Sequence, residues 1–409
     1  MTREAWIIDA VRSPRGIGKQ GKGKLAHLHP QRVLAQVLNA LRDRTGFEPK
    51  DLDDVVAGNG AHAGDHAHDI GRMAVLDAGW PITVPGVTLN RFCGSGQQAV
   101  TFAAMGVLSG HQDLVIGCGV ESMSRAARNG TDGFHANNKH LLDMHPQIPQ
   151  GLSADLIATL DGSSRTACDA LAAESQRRAD IAIREGRFQR SLVPINNDDG
   201  SLALDREEFP RPGSTVESLA ALPPSFPKFV DFKMEQSEKT MIQLMEQKYP
   251  GVKLQHVHHA GNSSGVVDGA GAVLVASPEY ARAHGLKPRA RIRMTAVAGD
   301  EPLIMLTAPG PATKKCLARA GMNMGDIDLF EVNEAFASVV LRFFRDTGAD
   351  PAKVNVNGGA IALGHPIGAT GAMLIGTIVD ELERRDKTTG LVAMCTGGGM
   401  ATATIVERI

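Results

Sequence analysis

The chain has 409 residues, with 43 Lys and Arg against 45 Asp and Glu and a formal net charge of −2, which is length enough for roughly two to three domains and a substantial core. The near-neutral balance leaves no basic footprint for nucleic acid or an anionic membrane surface and points to small-molecule chemistry. The five cysteines show no CxxC spacing and the opening MTREAWIIDAVRSPRG lacks the layout of a secretory signal, so a reduced, cytoplasmic protein without a membrane span is expected.

In chain order, AWIIDAV reads as a strand, and HPQRVLAQVLNALRDRTG as a helix with Pro30 near its start and Gly46 at its stop. DLDDVVAGNG and VPGVTLN read as two further strands, QQAVTFAAMGVLSG as an Ala-rich helix ending at Gly110, and HQDLVIGCGV as the next strand. Alternation of this kind implies a mixed sheet with helices on its faces. Between about Ala126 and His258 the pattern breaks down, and then a second copy of it follows. RIRMTAV resembles AWIIDAV, DIDLFEVNEAFA takes the place of DLDDVVAGNG, NVNGGAIALGHPIGATGAMLIGTIVDEL that of VTLNRFCGSGQQAVTFAAMGVLSG, and GLVAMCTGGGMATATIVE that of DLVIGCGVESMS. Four matches in one order describe a duplicated α/β unit with an irregular segment inserted.

Equivalent turns of the two halves can converge on one site, and these turns carry chemistry. Cys93 stands where an extended run breaks into glycines before a helix. A helix N-terminus there is expected to lower the thiol pKa and make a nucleophile, against the plainer reading of a small packing residue. The equivalent turn of the second half offers His365 in GHPIGATG, the turn after the next strand offers Cys395 with Gly397, Gly398 and Gly399, and VNEAFA offers Asn333 and Glu334. Cys118, Cys168 and Cys316, in predicted strand or helices, read as packing residues. His62, His66 and His68 with Asp65 and Asp69, and His256, His258 and His259 in HVHHAG, look superficially like metal-ligand clusters; both read as solvated loops.

At these residues the sequence resembles the thiolase family over nearly its whole length. NRFCGSGQQA, GVESMSR, AGNSSGVVDGAGAVL, EVNEAFA, NVNGGAIALGHPIGATGA and MCTGGGM occur in the thiolase order, a combination far more specific than any one glycine-rich turn. The resemblance implies an α/β, thiolase-like duplicated αβαβα layered fold with an inserted loop domain. Its N-terminal half would comprise residues 1–125 and 259–287, the covering domain over coenzyme A and the acyl pocket 126–258, and the C-terminal half 288–409. It implies CoA-dependent thiolytic cleavage of a 3-oxoacyl-CoA, or the reverse Claisen condensation, through an acyl-Cys93 intermediate, as in β-oxidation. His365 would take the proton from Cys93 and later help hold negative charge on the thioester oxygen of the leaving acetyl group. Asn333 would position a water as second donor to that oxygen, and Cys395 would be acid and base at the alpha carbon. Backbone N–H groups of Cys93 and Gly397 would form an oxyanion site over the acyl-enzyme carbonyl. Glu334 is structural in this family. Coenzyme A is then a co-substrate, with no tightly bound cofactor and no metal; Ser264 in GNSSG would meet its pantetheine and Arg211 a phosphate. A homodimer is expected by analogy, with a homotetramer as the alternative.

Two departures bear on substrate. Compared with short-chain biosynthetic members, this chain inserts PKFVDFKMEQSEKTMIQLMEQKYPGVKLQHVHH, where Met234, Met241, Leu244 and Met245 would form the apolar face of a short helix ending before Pro250. It would cap the acyl pocket or, more cautiously, extend a partner-facing surface. In IPQGLSADLIA, Pro149, Gln150 and Gly151 replace a His-Met-Gly-containing turn, which leaves longer, branched or ring-bearing chains open. Two other functions compete. A decarboxylating condensing enzyme of the ketosynthase type would carry histidine or asparagine in place of Cys395, and a non-catalytic acyl-CoA or lipid-binding relative would not need to retain Cys93, Asn333, His365 and Cys395 together.

Overall fold

Strands covered by helices on both faces become apolar throughout, and Leu114–Ser122 and Val267–Ala276 are accordingly buried at every position. The computed structural model describes residues 3–126, 138–234 and 237–409. Its strands are β1 (Trp6–Arg12), β2 (Gly16–Ile17), β3 (Asp54–Gly58), β4 (Val87–Leu89), β5 (Leu114–Ser122), β6 (Ile195–Asn196), β7 (Leu202–Leu204), β8 (Val267–Ala276), β9 (Ala290–Gly299), β10 (Leu329–Val332), β11 (Thr389–Thr396) and β12 (Met400–Arg408). All but the small β6–β7 hairpin join one 10-stranded sheet in the order β10-β11-β12-β9-β1-β8-β5-β3-β4, with β2 on β8.

The duplication expected from sequence is visible in the pairing. In the first half β3 runs parallel to β5, β5 antiparallel to β8, and β8 antiparallel to β1. In the second, β10 runs parallel to β11, β11 antiparallel to β12, and β12 antiparallel to β9. Even β4 has its counterpart, because Val354 bridges Phe330 of β10 in parallel as β4 pairs β3. The halves are stitched by Trp6 opposite Arg291 and Ile7 opposite Ala290.

Two helices form the central layer. Ser95–Ser109 and Ile367–Arg384, equivalent elements of the two halves, share an apolar core with strands of both. Outside lie Pro30–Thr45, capped by Gly46, on the first half and Pro309–Ala320 and Ala337–Thr347 on the second, completing the αβαβα layers. Glycines let the central pair touch: a Cβ on Gly371 would stand 2.1 Å from Gln97 N, and one on Gly96 2.5 Å from the Gly368 carbonyl. The two turns that carry Cys93 and His365 immediately precede these helices and are drawn together by that contact.

The segment inserted into the first half contains helices at Gln150–Asp161, Arg165–Arg184 and Met241–Lys248 and the β6–β7 hairpin. Residues 235 and 236 of the insertion lie outside the described residues. The expected short helix exists, but its apolar face neither lines the cleft nor lies open to a partner, while Gln243, Glu246, Gln247 and Lys248 on its other face are exposed. Met241, Leu244 and Met245 are buried with Ile148, Leu152, Phe336 and Cys395, and no described residue of 227–258 lines the large cleft. The apolar face found its partner in the core.

HVHHAG corrects a second expectation, since His258 and His259 are buried and not in a solvated loop. Asp155 Oδ1 accepts from the Val257 and His258 N–H groups at 3.1 and 3.0 Å and lies 2.8 Å from His258 Nδ1, while Oδ2 lies 2.7 Å from His256 Nδ1. Asp169 lies 2.8 Å from His259 Nε2 and accepts from Asn262 Nδ2. His66 is likewise buried, its Nε2 accepting from the Ser122 N–H at 2.9 Å.

Candidate active site

Between the end of β4 and the helix beginning at Ser95 the chain must reverse, and it does so with Phe92 in the left-handed region at φ 48°. Ser95 locks the turn: its Oγ accepts from the Arg91 N–H at 2.9 Å and donates to the Phe92 carbonyl at 2.6 Å. Cys93 is thereby set at the foot of a cleft of about 1060 Å³, lined also by Gln150, Arg211, Ser264, Phe336 and His365.

The Cys93 thiol is not the thiolate expected at a helix N-terminus. Burial pushes its pKa up to about 11, outweighing hydrogen bonds from the Gly397 N–H, the Gln150 side chain and its own N–H, and the charge of Glu121 adds to the rise. At neutral pH the group is a thiol surrounded by donors that would favour the anion once a proton leaves.

His365 lines the same cleft as Cys93. Burial, then the charge of Arg15, lowers its pKa to about 3, so the imidazole is neutral. Its Nε2 lies 3.5 Å from Asn333 Nδ2 and its Nδ1 2.6 Å from Thr370 Oγ1. With the Asn333 amide as donor, Nε2 is the acceptor and Nδ1–H points to Thr370.

Cys395 is the last residue but one of β11, paired antiparallel with β12 opposite Ala401, and so lies in the strand and not in the turn expected from sequence. It is almost wholly buried, and its thiol is pushed up by burial and then by the charge of neighbouring Cys93. The tight turn to β12 places Gly398 and Gly399 at φ 75° and 76°, and a Cβ on Gly399 would sit 2.6 Å from the Asp300 carbonyl, so glycine is required there.

The structure therefore brings Cys93, His365, Ser264 and Arg211 onto one cleft and sets Cys395 behind Cys93 and Asn333 behind His365. Ser264 is held by its N–H donating to the Ala335 carbonyl at 2.9 Å. Arg211 is exposed at the cleft wall, its guanidinium 5.6 Å from the Phe209 ring centroid. Glu334 accepts from Ser175 Oγ, Asn355 Nδ2 and the Ile361 N–H at 2.7, 3.0 and 3.1 Å, a structural use. Cys118, Cys168 and Cys316 are buried packing residues, the latter two pushed up to about 12 by burial. Two contributors escaped the sequence reading. Gln150 was visible only as a departure from a turn motif, and Thr370 lies one helical turn beyond His365 in GHPIGAT.

A duplicated five-layer α/β fold that gathers two thiols, an imidazole and backbone donors around one deep cleft defines a protein of the acyltransferase class. The Thiolase, N-terminal domain family matches residues 5–229 and the Thiolase, C-terminal domain family residues 286–408. The chain belongs to the thiolase family. It is 40% identical to the steroid 3-ketoacyl-CoA thiolase FadA6 of Mycobacterium tuberculosis over 99% of this chain and 94% of that one. It is 39% identical to the beta-ketoadipyl-CoA thiolase of Pseudomonas aeruginosa, with all of both chains covered. Among solved structures, human mitochondrial 3-ketoacyl-CoA thiolase in complex with CoA superposes with a TM-score of 0.85 at 33% identity, covering 100% of this chain and 98% of that one.

Proposed function

We propose that the protein cleaves a 3-oxoacyl-CoA by coenzyme A, or runs the reverse condensation, through an acyl-Cys93 intermediate. The observation that carries this is the convergence of Cys93 and neutral His365 on one cleft with the Gly397 N–H aimed at the Cys93 sulfur. His365 Nε2 takes the thiol proton as the sulfur attacks the 3-oxo carbon. The Cys93 and Gly397 N–H groups then hold the developing oxyanion, where preorganised donors in a dry site contribute most. The bond between the second and third carbons breaks, leaving acyl-Cys93, and Cys395 protonates the departing enolate. The imidazolium of His365 and a water on Asn333 stabilise the enolate oxygen. Cys395 then deprotonates incoming coenzyme A, whose thiolate attacks acyl-Cys93 and releases the shortened acyl-CoA, and the expelled Cys93 thiolate recovers its proton from the His365 imidazolium.

Coenzyme A is a co-substrate in this reading, with pantetheine along Ser264 and a phosphate near Arg211, and no tightly bound cofactor is required. Phe92, Phe226, Phe336 and Ile361 line the cleft, which supports an acyl group bulkier than acetoacetyl. A homodimer is supported by the short edge strand β4 with its exposed Val87 and by the exposed apolar side chains Ile82, Phe102 and Met105. A cytoplasmic setting agrees with the absence, among the described residues, of any helix long and apolar enough to cross a membrane.

The test is coenzyme A-dependent thiolysis across 3-oxoacyl-CoA substrates from acetoacetyl to ring-bearing chains. Cleavage that Cys93→Ala abolishes is expected, with preference for the bulkier acyl groups. Folded protein that binds coenzyme A yet cleaves none of them would overturn the proposal and favour a binding role.

A further inference from the structure

Behind His365, on the side away from the cleft, lies a second cavity of about 10 Å³, lined by Arg15, Glu331, Asn333 and Thr370 among others. That is the scale of a single water molecule. Arg15 and Asn333 are both more than nine-tenths buried, and Arg15 Nε and Asn333 Oδ1 have no hydrogen-bond partner in the protein among the described residues. An unpartnered donor and an unpartnered acceptor on one small cavity are the groups a bridging water satisfies.

Arg15 is held firmly in place to do this. Its Nη1 lies 2.8 Å from Glu207 Oε1, and its backbone N–H donates to Glu207 Oε2 at 2.8 Å. Glu207 also pairs with Arg12 at 2.7 Å, all three side chains being almost fully buried. Glu207 belongs to the segment inserted into the first half, so the clamp ties that segment to the back of the candidate site. The Asn333 amide has its nitrogen toward His365 Nε2, and flipping it would put an oxygen against that lone pair. Something must therefore hold the amide oxygen on the far side.

We propose that Arg15 is a positioning residue: its Nε–H, through a single ordered water in this cavity, holds Asn333 Oδ1, so that the Asn333 amide keeps its N–H groups toward His365 Nε2 and the reacting centre. Arg15 touches no substrate; it acts through the water and Asn333. The role rests on the thiolase reading, but the water itself does not.

The experiment has two arms that fail separately. A crystal structure of the wild-type protein near 1.5 Å resolution should show a water within hydrogen-bond distance of both Arg15 Nε and Asn333 Oδ1, and a cavity without density there would overturn the proposal whatever the enzyme does. In the second arm, Arg15→Met, which leaves Glu207 paired with Arg12, should lower kcat for thiolysis roughly 3–10-fold, the rate equivalent of one hydrogen bond, with KM little changed. Arg15→Lys, which keeps a donor near the cavity, should recover most of it. Arg12→Met breaks the same carboxylate's other pair without reaching the cavity, and should lower the urea midpoint while leaving kcat alone. Equal kcat in Arg15→Met and wild type, or equal loss in Arg15→Met and Arg12→Met, would reduce Arg15 to a structural residue. A wild type that cleaves no substrate would sink the thiolase reading and leave the first arm standing.

Discussion

His365 Nδ1 and Thr370 Oγ1 lie 2.6 Å apart across the first turn of the helix Ile367–Arg384. The contact fixes the ring plane, and with the Asn333 amide as donor to Nε2 the hydroxyl accepts from Nδ1–H and the Nε2 lone pair is the acceptor. Thr370→Val keeps the shape and removes the oxygen. We expect kcat for thiolysis to fall roughly 10–100-fold with an unchanged circular dichroism spectrum; an unaltered kcat would show that packing alone orients the ring.

The protonation states of Cys93 and His365 predict the pH dependence of alkylation. A thiol raised to about 11 beside an imidazole lowered to about 3 is a neutral pair throughout the physiological range. Carboxamidomethylation of Cys93, followed by mass spectrometry, should accelerate ~tenfold per pH unit between neutral and mildly alkaline pH as thiolate forms. A rate that is already flat from pH 5 to 8 would reveal a thiolate–imidazolium pair and contradict this assignment.

Gln150 donates toward the Cys93 sulfur from the start of the helix Gln150–Asp161. Gln150→Leu removes a hydrogen bond to a group that becomes charged, worth about 1.5–3 kcal/mol, so kcat/KM should drop roughly 10–150-fold. Alkylation of Cys93 should slow in the same variant at fixed pH. Normal alkylation with altered substrate preference would instead make Gln150 a residue of the acyl pocket only.

Among the described residues, Asp155 is the sole acidic partner of two histidines and two backbone N–H groups in HVHH. Removing one partner of a buried polar network leaves the others unsatisfied, so Asp155→Ala should cost about 3–5 kcal/mol, read as a lowered urea midpoint at unchanged m-value. A loss below about 1 kcal/mol would mean that water replaces the carboxylate. Asp155→Asn, which keeps one acceptor oxygen, should lie between.

Much of the fold was legible because the signals that carried it are local. Strand and helix periods, Gly46 and Gly110 at helix ends, and repeated turn motifs are written in neighbouring residues, and the strand pairing reproduces their duplicated order. The positions of Cys93, His365 and Asn333 in turns between elements were legible for the same reason, whereas Cys395, expected in a turn, lies inside β11. HVHHAG was not. The carboxylates that bury its histidines lie 101 and 90 positions away, and nothing beside a histidine reports a partner that distant. The insertion's apolar helix was foreseen as an element and misplaced as a surface, since amphipathicity states that a face will be covered but not by what.

By itself, then, the sequence determined which elements form, that they repeat, and which side chains stand at the turns between them. Only the tertiary structure decided the protonation of those side chains and what stands behind them. The Cys93 thiol is raised and the His365 imidazole lowered because the layers closing over them remove water, and desolvation depends on the whole enclosing fold. Glu207 reaches Arg15 across 192 positions, and Gly371 admits Gln97 from the opposite half; such contacts exist only once the two halves have packed together.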